Sequence, residues 1–254
     1  MTAATPRPPF KLGFLTHAFG EDPHQVYQDL LEQFDVAQTL GFDGGWIAQH
    51  HLSNGFGRLP SPLLALAAVA ERTRHIELGT AVTVLPFEDP VRLAEDASVL
   101  DQLSGGRVQL GLGSGGANLD SFSAFARDPE QRQARFAEDQ QRLQALLGGQ
   151  ALRTGSELTL QPPAPGLARR LWHSHASLEG ARYTASQGNG FLLGTATHDP
   201  LTVQKPLADA YLAAWDHPTE KPRIGVVRAV FPAVDQATAQ AAVSYTHLRG
   251  HETR

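Results

Sequence analysis

The sequence predicts an α/β fold: a parallel (β/α)8 TIM barrel forming one domain, truncated after about seven strands. Three observations predict it. Apolar, strand-like runs begin at Lys11, Gly44, Ile76 and Val108, with spacings of 33, 32 and 32 residues. A helical pattern lies between each pair, and eight such units need about 250 residues, close to the 254 present. Proline follows Asp or Ser where helices should start, at Asp22-Pro23, Ser61-Pro62, Asp89-Pro90, Asp128-Pro129 and Asp199-Pro200. Such pairs combine a capping side chain with a first helical residue that has no amide to leave unpaired. A doubly wound sheet also alternates strands and helices, but even spacing favours the barrel.

In order along the chain, residues 1–9 hold three prolines and no apolar pattern, and are expected to be a loose tail. The barrel domain is expected over 10–243. Its first strand is "KLGFLTH" from Lys11, followed by a helix from Pro23 to Leu40 whose apolar face is Val26, Leu30, Phe34 and Ala37. The second strand is "GGWIAQHH", the third "IELGTAVTVLP" and the fourth "VQLGLGSG". After the Pro-rich insert "LTLQPPAPGLARR" come strand five, "LWHSHAS" from Leu171, strand six, "GFLLG", and strand seven, "RIGVVRAVFPA". No eighth strand is legible. The segment 244–254, "SYTHLRGHETR", lacks apolar periodicity and is expected to be a non-native or disordered tail.

Composition excludes several function classes. The chain is 41% hydrophobic and 19% charged, ordinary globular values that allow a sizeable core. It has no cysteine, which removes disulfides, thiolate metal sites and a cysteine nucleophile. The net charge of −5, with no basic cluster, argues against a nucleic-acid partner. No run of eighteen apolar residues and no leader pattern is present, so the expectation is a soluble, cytoplasmic protein without a membrane partner.

Residues Gly111 to Gly116, "GLGSGG", fit the dinucleotide fingerprint G-x-G-x-x-G. The context does not. That fingerprint follows the first strand of its unit, opens directly into a helix and has an acid about twenty residues on. Here three strand–helix units precede it, and the next helix begins only near Pro129. "SGGR", from Ser104, falls at the opposite end of the fourth strand, on the face where motifs serve stability. Gly105 or Gly106 there supplies a left-handed helix stop. No metal is expected either. His17, His173 and His175 fall near strand ends, but no carboxylate sits convincingly beside them.

The stretch "LGTAVTVLPFEDPVRLAEDASVLDQLSGGRVQLGLGSGG", together with "KLGFLTHAFGEDP", "GFDGGWIAQHH" and "RLWHSHASLEGARYTASQGNGFLL", resembles the luciferase-like flavin monooxygenases over about residues 11–200. The resemblance implies a β/α barrel and an oxidoreductase. It implies reduced FMN supplied by a separate flavin reductase, dioxygen as co-substrate, a small organic substrate and a homodimer. Two alternatives stay open: a deazaflavin-dependent hydride-transfer enzyme, and a non-catalytic flavin-binding subunit.

Alternation along a strand allows only one of His50 and His51 to face the barrel mouth. The resemblance selects His50 as the catalytic histidine, moving a proton near pH 7. Bacterial luciferase has glutamate where this chain has Gln49. The resemblance places the phosphate of FMN at Ser177 and Gly180, where a helix start favours an anion. It places Thr80 and Ala81 at a strand bulge below the flavin ring, a place where several members have a non-prolyl cis peptide. Gly113 and Ser114 fall beside the cofactor. Ser114 replaces a phosphate-binding arginine of bacterial luciferase, which points to another cation such as Arg153 or Arg182. Leu85 and Phe87 are candidate pocket walls; Phe122, Phe125 and Trp172 are either walls or core.

Overall fold

A computed structural model describes residues 10–52, 57–194, 198–230 and 233–241, the side chains of 117 and 118 aside. Both expected tails, 1–9 and 244–254, lie outside the described residues. Seven consecutive strand positions form one parallel sheet: β1 (Gly13–Thr16), β2 (Gly44–Ile47), β3 (Glu77–Thr80), β5 (Val108–Gly113), β6 (Leu171–Ser174), β7 (Gly190–Leu193) and β8 (Ile224–Val226). The expected third strand is split. After Thr80 the chain steps out of line through a cis peptide between Ala81 and Val82, then re-pairs with β5 as β4 (Thr83–Val84). Sequential parallel order makes this a half-barrel, as expected of a barrel cut short. Among the described residues, no strand joins the free edges of β1 and β8.

The helices are α1 (Pro23–Thr39), α2 (Pro62–Arg72), α3 (Pro90–Ser104), α4 (Arg132–Leu147), α5 (Leu178–Ser186) and α6 (Lys205–Ala214). Asp22 and Asp89 cap α1 and α3 by accepting first-turn amides. Asp128 and Asp199 do the same for short tighter or wider turns that run into α4 and α6. Val26, Leu30, Phe34 and Ala37 are the buried face of α1, as the periodicity requires.

Tryptophans fill the barrel interior. Trp46 on β2 meets Trp172 on β6 edge to face, with ring centroids 5.5 Å apart. Gly79 pairs with Trp46 across the sheet and Gly190 with Trp172. A Cβ at either glycine would lie 2.3 Å from an indole atom, so the glycines make the room the rings occupy. The Trp172 indole N–H donates to Gln109 (2.8 Å), and the Arg223 guanidinium lies 5.0 Å from the Trp172 ring centroid. Trp172 is therefore half-buried against Trp46 and Gly190 and does not line the cavity at the C-terminal ends of the strands.

"SGGR" performs its stability role by two means. Gly105 and Gly106 both adopt left-handed φ, 67° and 82°, ending α3. Arg107 then donates to the carbonyls of Ala70, Thr73, Ile76 and Ser104, gathering the C-terminal ends of α2 and α3. Nearby, Arg170 grips both carboxylate oxygens of Asp101 at 2.8 Å.

Candidate active site

A cavity of about 880 Å³ opens at the C-terminal ends of the strands, the end where barrel enzymes keep their chemistry. His50, Ala81, Gly113, Ser114, Ser177 and Gly180 all line it. Thr80 does not. It is buried in β3, where its hydroxyl donates to the Gly111 carbonyl (2.8 Å) and accepts from the Gly111 amide (2.9 Å). It holds the bulge that presents Ala81 and Val82 to the cavity.

The glycine-rich stretch is explained by the same bulge. A Cβ on Gly111 would fall 2.0 Å from the Thr80 carbonyl oxygen, and one on Gly113 would fall 2.4 Å from Val82 Cγ2. Gly115 has a left-handed φ of 83°. The glycines admit a neighbouring strand first and form a cavity wall second.

Three adjacent residues at the end of β2 have three environments. The Gln49 amide nitrogen donates to the Pro60 carbonyl and to Glu88 (both 3.0 Å), while its oxygen accepts from the Val84 amide (2.5 Å). Only a neutral amide meets both demands; a glutamate would face the Glu88 carboxylate. His50 turns into the cavity, where its Nε2 lies 3.2 Å from His17 Nδ1. His51 turns the other way, into the rings of Phe87 and Phe125, at 5.3 and 4.8 Å. Phe122 completes that cluster, so Phe87, Phe122 and Phe125 pack around His51 rather than wall the cavity, and Leu85 is core.

Also lining the cavity, Ser177 caps α5 by accepting the Gly180 amide at 3.1 Å. A Cβ on Gly180 would fall 2.5 Å from the His175 side chain, so this glycine lets the helix start close to β6. His175 lines the cavity with Phe136 and Tyr183. Burial lowers its pKa to about 4. His173 is fully buried against Asn189 (3.1 Å), and burial, assisted by His175, lowers its pKa to about 3. Burial also lowers the pKa of His17.

The cation that sequence reasoning missed is Arg132, at the start of α4. It lines the cavity and is steadied by the Pro129 carbonyl (2.9 Å). Neither Arg153 nor Arg182 lines it. The available signal was position, since Arg132 opens the helix that follows the glycine-rich strand. Gln133, beside it, donates to Ser114 (3.0 Å). Glu179 also lines the cavity.

The family model for luciferase-like monooxygenases matches residues 10–253. The chain belongs to that family. Over 133 residues it is 39% identical to 4-hydroxyprotoasukamycin monooxygenase of Streptomyces nodosus subsp. asukaensis, covering 52% of this chain and 35% of that protein. The chain thus spans about a third of that relative's length. Among solved structures, monooxygenase RslO1 from Streptomyces bottropensis superposes with a TM-score of 0.79 at 25% identity, covering 96% of this chain and 78% of its own. The oxygenating constituent of 3,6-diketocamphane monooxygenase from Pseudomonas putida, solved with FMN, gives 0.74 at 18% identity over 92% and 71% of the two chains, a likeness of fold. The luciferase-like fold is thus present as a half-barrel with a cavity at the C-terminal ends of its strands. Among the described residues, no helix is long and apolar enough to cross a membrane.

Proposed function

We propose that this luciferase-like chain is the oxygenase part of an FMN-dependent monooxygenase acting on a small organic substrate. One observation carries the reading: a single cavity is lined by His50 together with Arg132, Ser177 and the start of α5. The last three fit a flavin phosphate, with the flat ring in the same cavity. Leu15, Ala48, Ala81 and Val82 offer apolar surface for the ring. The Leu178 and Glu179 amides open α5 without intrahelical acceptors, and Arg132 adds the charge that Ser114 lacks. Glu179 opposes that charge, which favours binding through directed hydrogen bonds over a general positive field. Reduced FMN held by these residues would supply the two electrons that a monooxygenation needs, with one oxygen atom going to the substrate and the other to water. His50 moves a proton at its imidazole, and the apolar lining keeps water out.

A separate flavin reductase and a cytoplasmic setting belong to the same reading, as does a homodimer. The dimer is supported by the apolar side chains of Leu64 on α2 and of Val99 and Leu103 on α3, all left exposed. Sedimentation at the monomer mass would remove that part. The main test is anaerobic titration with reduced FMN, followed by admission of dioxygen while flavin absorbance is recorded. Saturable binding and re-oxidation kinetics distinct from those of free flavin support the proposal. Binding of a reduced deazaflavin alone supports the hydride-transfer alternative. Flavin binding with re-oxidation at the free rate supports a non-catalytic subunit.

A further inference from the structure

His17 ends the first strand and had no function in the sequence reading beyond a rejected metal site. In the fold it meets His50. The two rings are inclined by only 22°, their centroids are 5.3 Å apart, and His17 Nδ1 lies 3.2 Å from His50 Nε2. Those values fit two near-coplanar imidazoles meeting edge to edge through one N–H···N bond. Phe19 covers the other side of His17, with centroids 5.6 Å apart and rings inclined by 24°. The contact holds only if one of the two facing nitrogens carries a hydrogen and the other does not.

We propose that His17 and His50 form a one-proton dyad: two imidazoles joined by a single shared hydrogen, which together take up or release one proton at the cavity mouth. Uptake gives an imidazole–imidazolium pair, with the bridging hydrogen retained and the added proton on an outer nitrogen. A second proton would put N–H against N–H and two positive charges across 3.2 Å, so the pair resists it. His17 is thereby a positioning residue: it ties the protonation of His50 Nε2 to the opposite state of its own Nδ1 and holds the ring in line. Among the described residues, the other titratable or charged residues lining the cavity are His175, His198, Tyr183, Glu179 and Arg132. Glu88 is held by Gln49, and His51 faces away into Phe87 and Phe125.

The dyad matters for catalysis only through the proposed role of His50, but its existence does not depend on flavin. The test is therefore run on the full, flavin-free chain labelled with ¹⁵N, by following histidine ring nitrogens through a pH titration. At pH 8, His17 Nδ1 and His50 Nε2 should show opposite protonation. On acidification the two rings should titrate in two shared steps more than about one pH unit apart, the mark of strongly coupled groups. His17→Asn keeps a hydrogen-bonding atom near the position of Nδ1 but cannot be protonated. It should keep a hydrogen bond at His50 Nε2 while reducing the titration of His50 to one step. His17→Leu should remove that hydrogen bond as well. Independent single steps in the wild-type protein, or a His50 spectrum unchanged in His17→Asn and His17→Leu, overturn the dyad. The wild-type measurement decides even if a variant fails to fold. Failure to bind FMN would refute the function proposed above and leave this result standing.

Discussion

Replacing Gly111 with alanine should damage the fold severely, while the same change at Gly116, five residues along the same motif, should be nearly silent. The added Cβ at 111 falls 2.0 Å from the Thr80 carbonyl oxygen and 3.0 Å from Leu192 Cδ1. The first neighbour is backbone, so β3 and β5 must part by roughly 1 Å to restore ordinary contact, a displacement in the overpacking range of about 1–3 kcal/mol. The same movement stretches the two hydrogen bonds between Thr80 Oγ1 and Gly111, worth about 1 kcal/mol each. The smaller unfolded-state entropy of alanine returns about 0.4–1 kcal/mol. The net loss is about 2–4 kcal/mol, equivalent to a fall in Tm of roughly 4–16 °C for a chain of this size. At Gly116 no atom lies within 4 Å of the added Cβ, and the change should stay within about 0.5 kcal/mol. Equilibrium urea unfolding, followed by tryptophan fluorescence, measures both. If Gly111→Ala lies within 0.5 kcal/mol of wild type, or Gly116→Ala is as harmful, the packing explanation of "GLGSGG" is wrong.

His50→Ala should unfold near the wild-type midpoint yet slow flavin-dependent turnover about a hundredfold or more, the scale of a lost general acid or base; His51→Ala should instead lose stability, since its ring packs in the Phe87 cluster. A stability loss in His50→Ala with normal turnover per folded molecule would show that its role is structural. Arg132→Ala should weaken reduced FMN about tenfold, roughly 1.4 kcal/mol, while changing riboflavin affinity less than twofold; an equal effect on both ligands rules out a phosphate contact. Stability should fall on acidification below pH 6.5. There the unfolded chain protonates His173 and His175, whose folded pKa values are about 3 and about 4. The unfolded state thus holds more protons, and each histidine contributes a loss of about 1.4 kcal/mol per pH unit until its folded pKa is reached. Urea midpoints that agree at pH 7.5 and pH 5 would count against this.

The sequence carried the architecture because it depends on period and punctuation. The three even spacings, the capping Asp-Pro pairs and the α1 stripe of Val26, Leu30, Phe34 and Ala37 are local signals. Strand lengths were less legible: "GGWIAQHH" pairs only over Gly44–Ile47 and "RIGVVRAVFPA" only over Ile224–Val226. An apolar run does not reveal where its neighbour stops pairing. The break of the third strand at Ala81 depends on Gly111 and Gly113, thirty residues away, making room for it. Composition cannot reveal that Trp172 fills the barrel while Arg132 reaches its mouth, because both depend on where the strands and helices converge. The contact of His17 with His50 is of the same kind: two strand ends brought together by the β1–β2 register.

That register also explains why one tripeptide can do three separable jobs. Just past the end of β2 the three side chains diverge: His50 meets His17 at the cavity, the Gln49 amide reaches Pro60, Val84 and Glu88, and His51 packs on Phe87 and Phe125. Gln49 then stitches the end of β2 to β4 and to the loop before α2. His51 anchors the aromatic cluster, and its carbonyl accepts from Ser121 at 3.2 Å, tying in the segment after β5. The two outward residues are therefore structural supports for the inward one, fixing the strand end that aims His50 at His17. Gln49 also binds the Glu88 carboxylate on the outer side, which directs that negative charge away from the two imidazoles. A carboxylate aimed at the pair would favour its charged form. Burial opposes that form at His17, whose pKa it lowers.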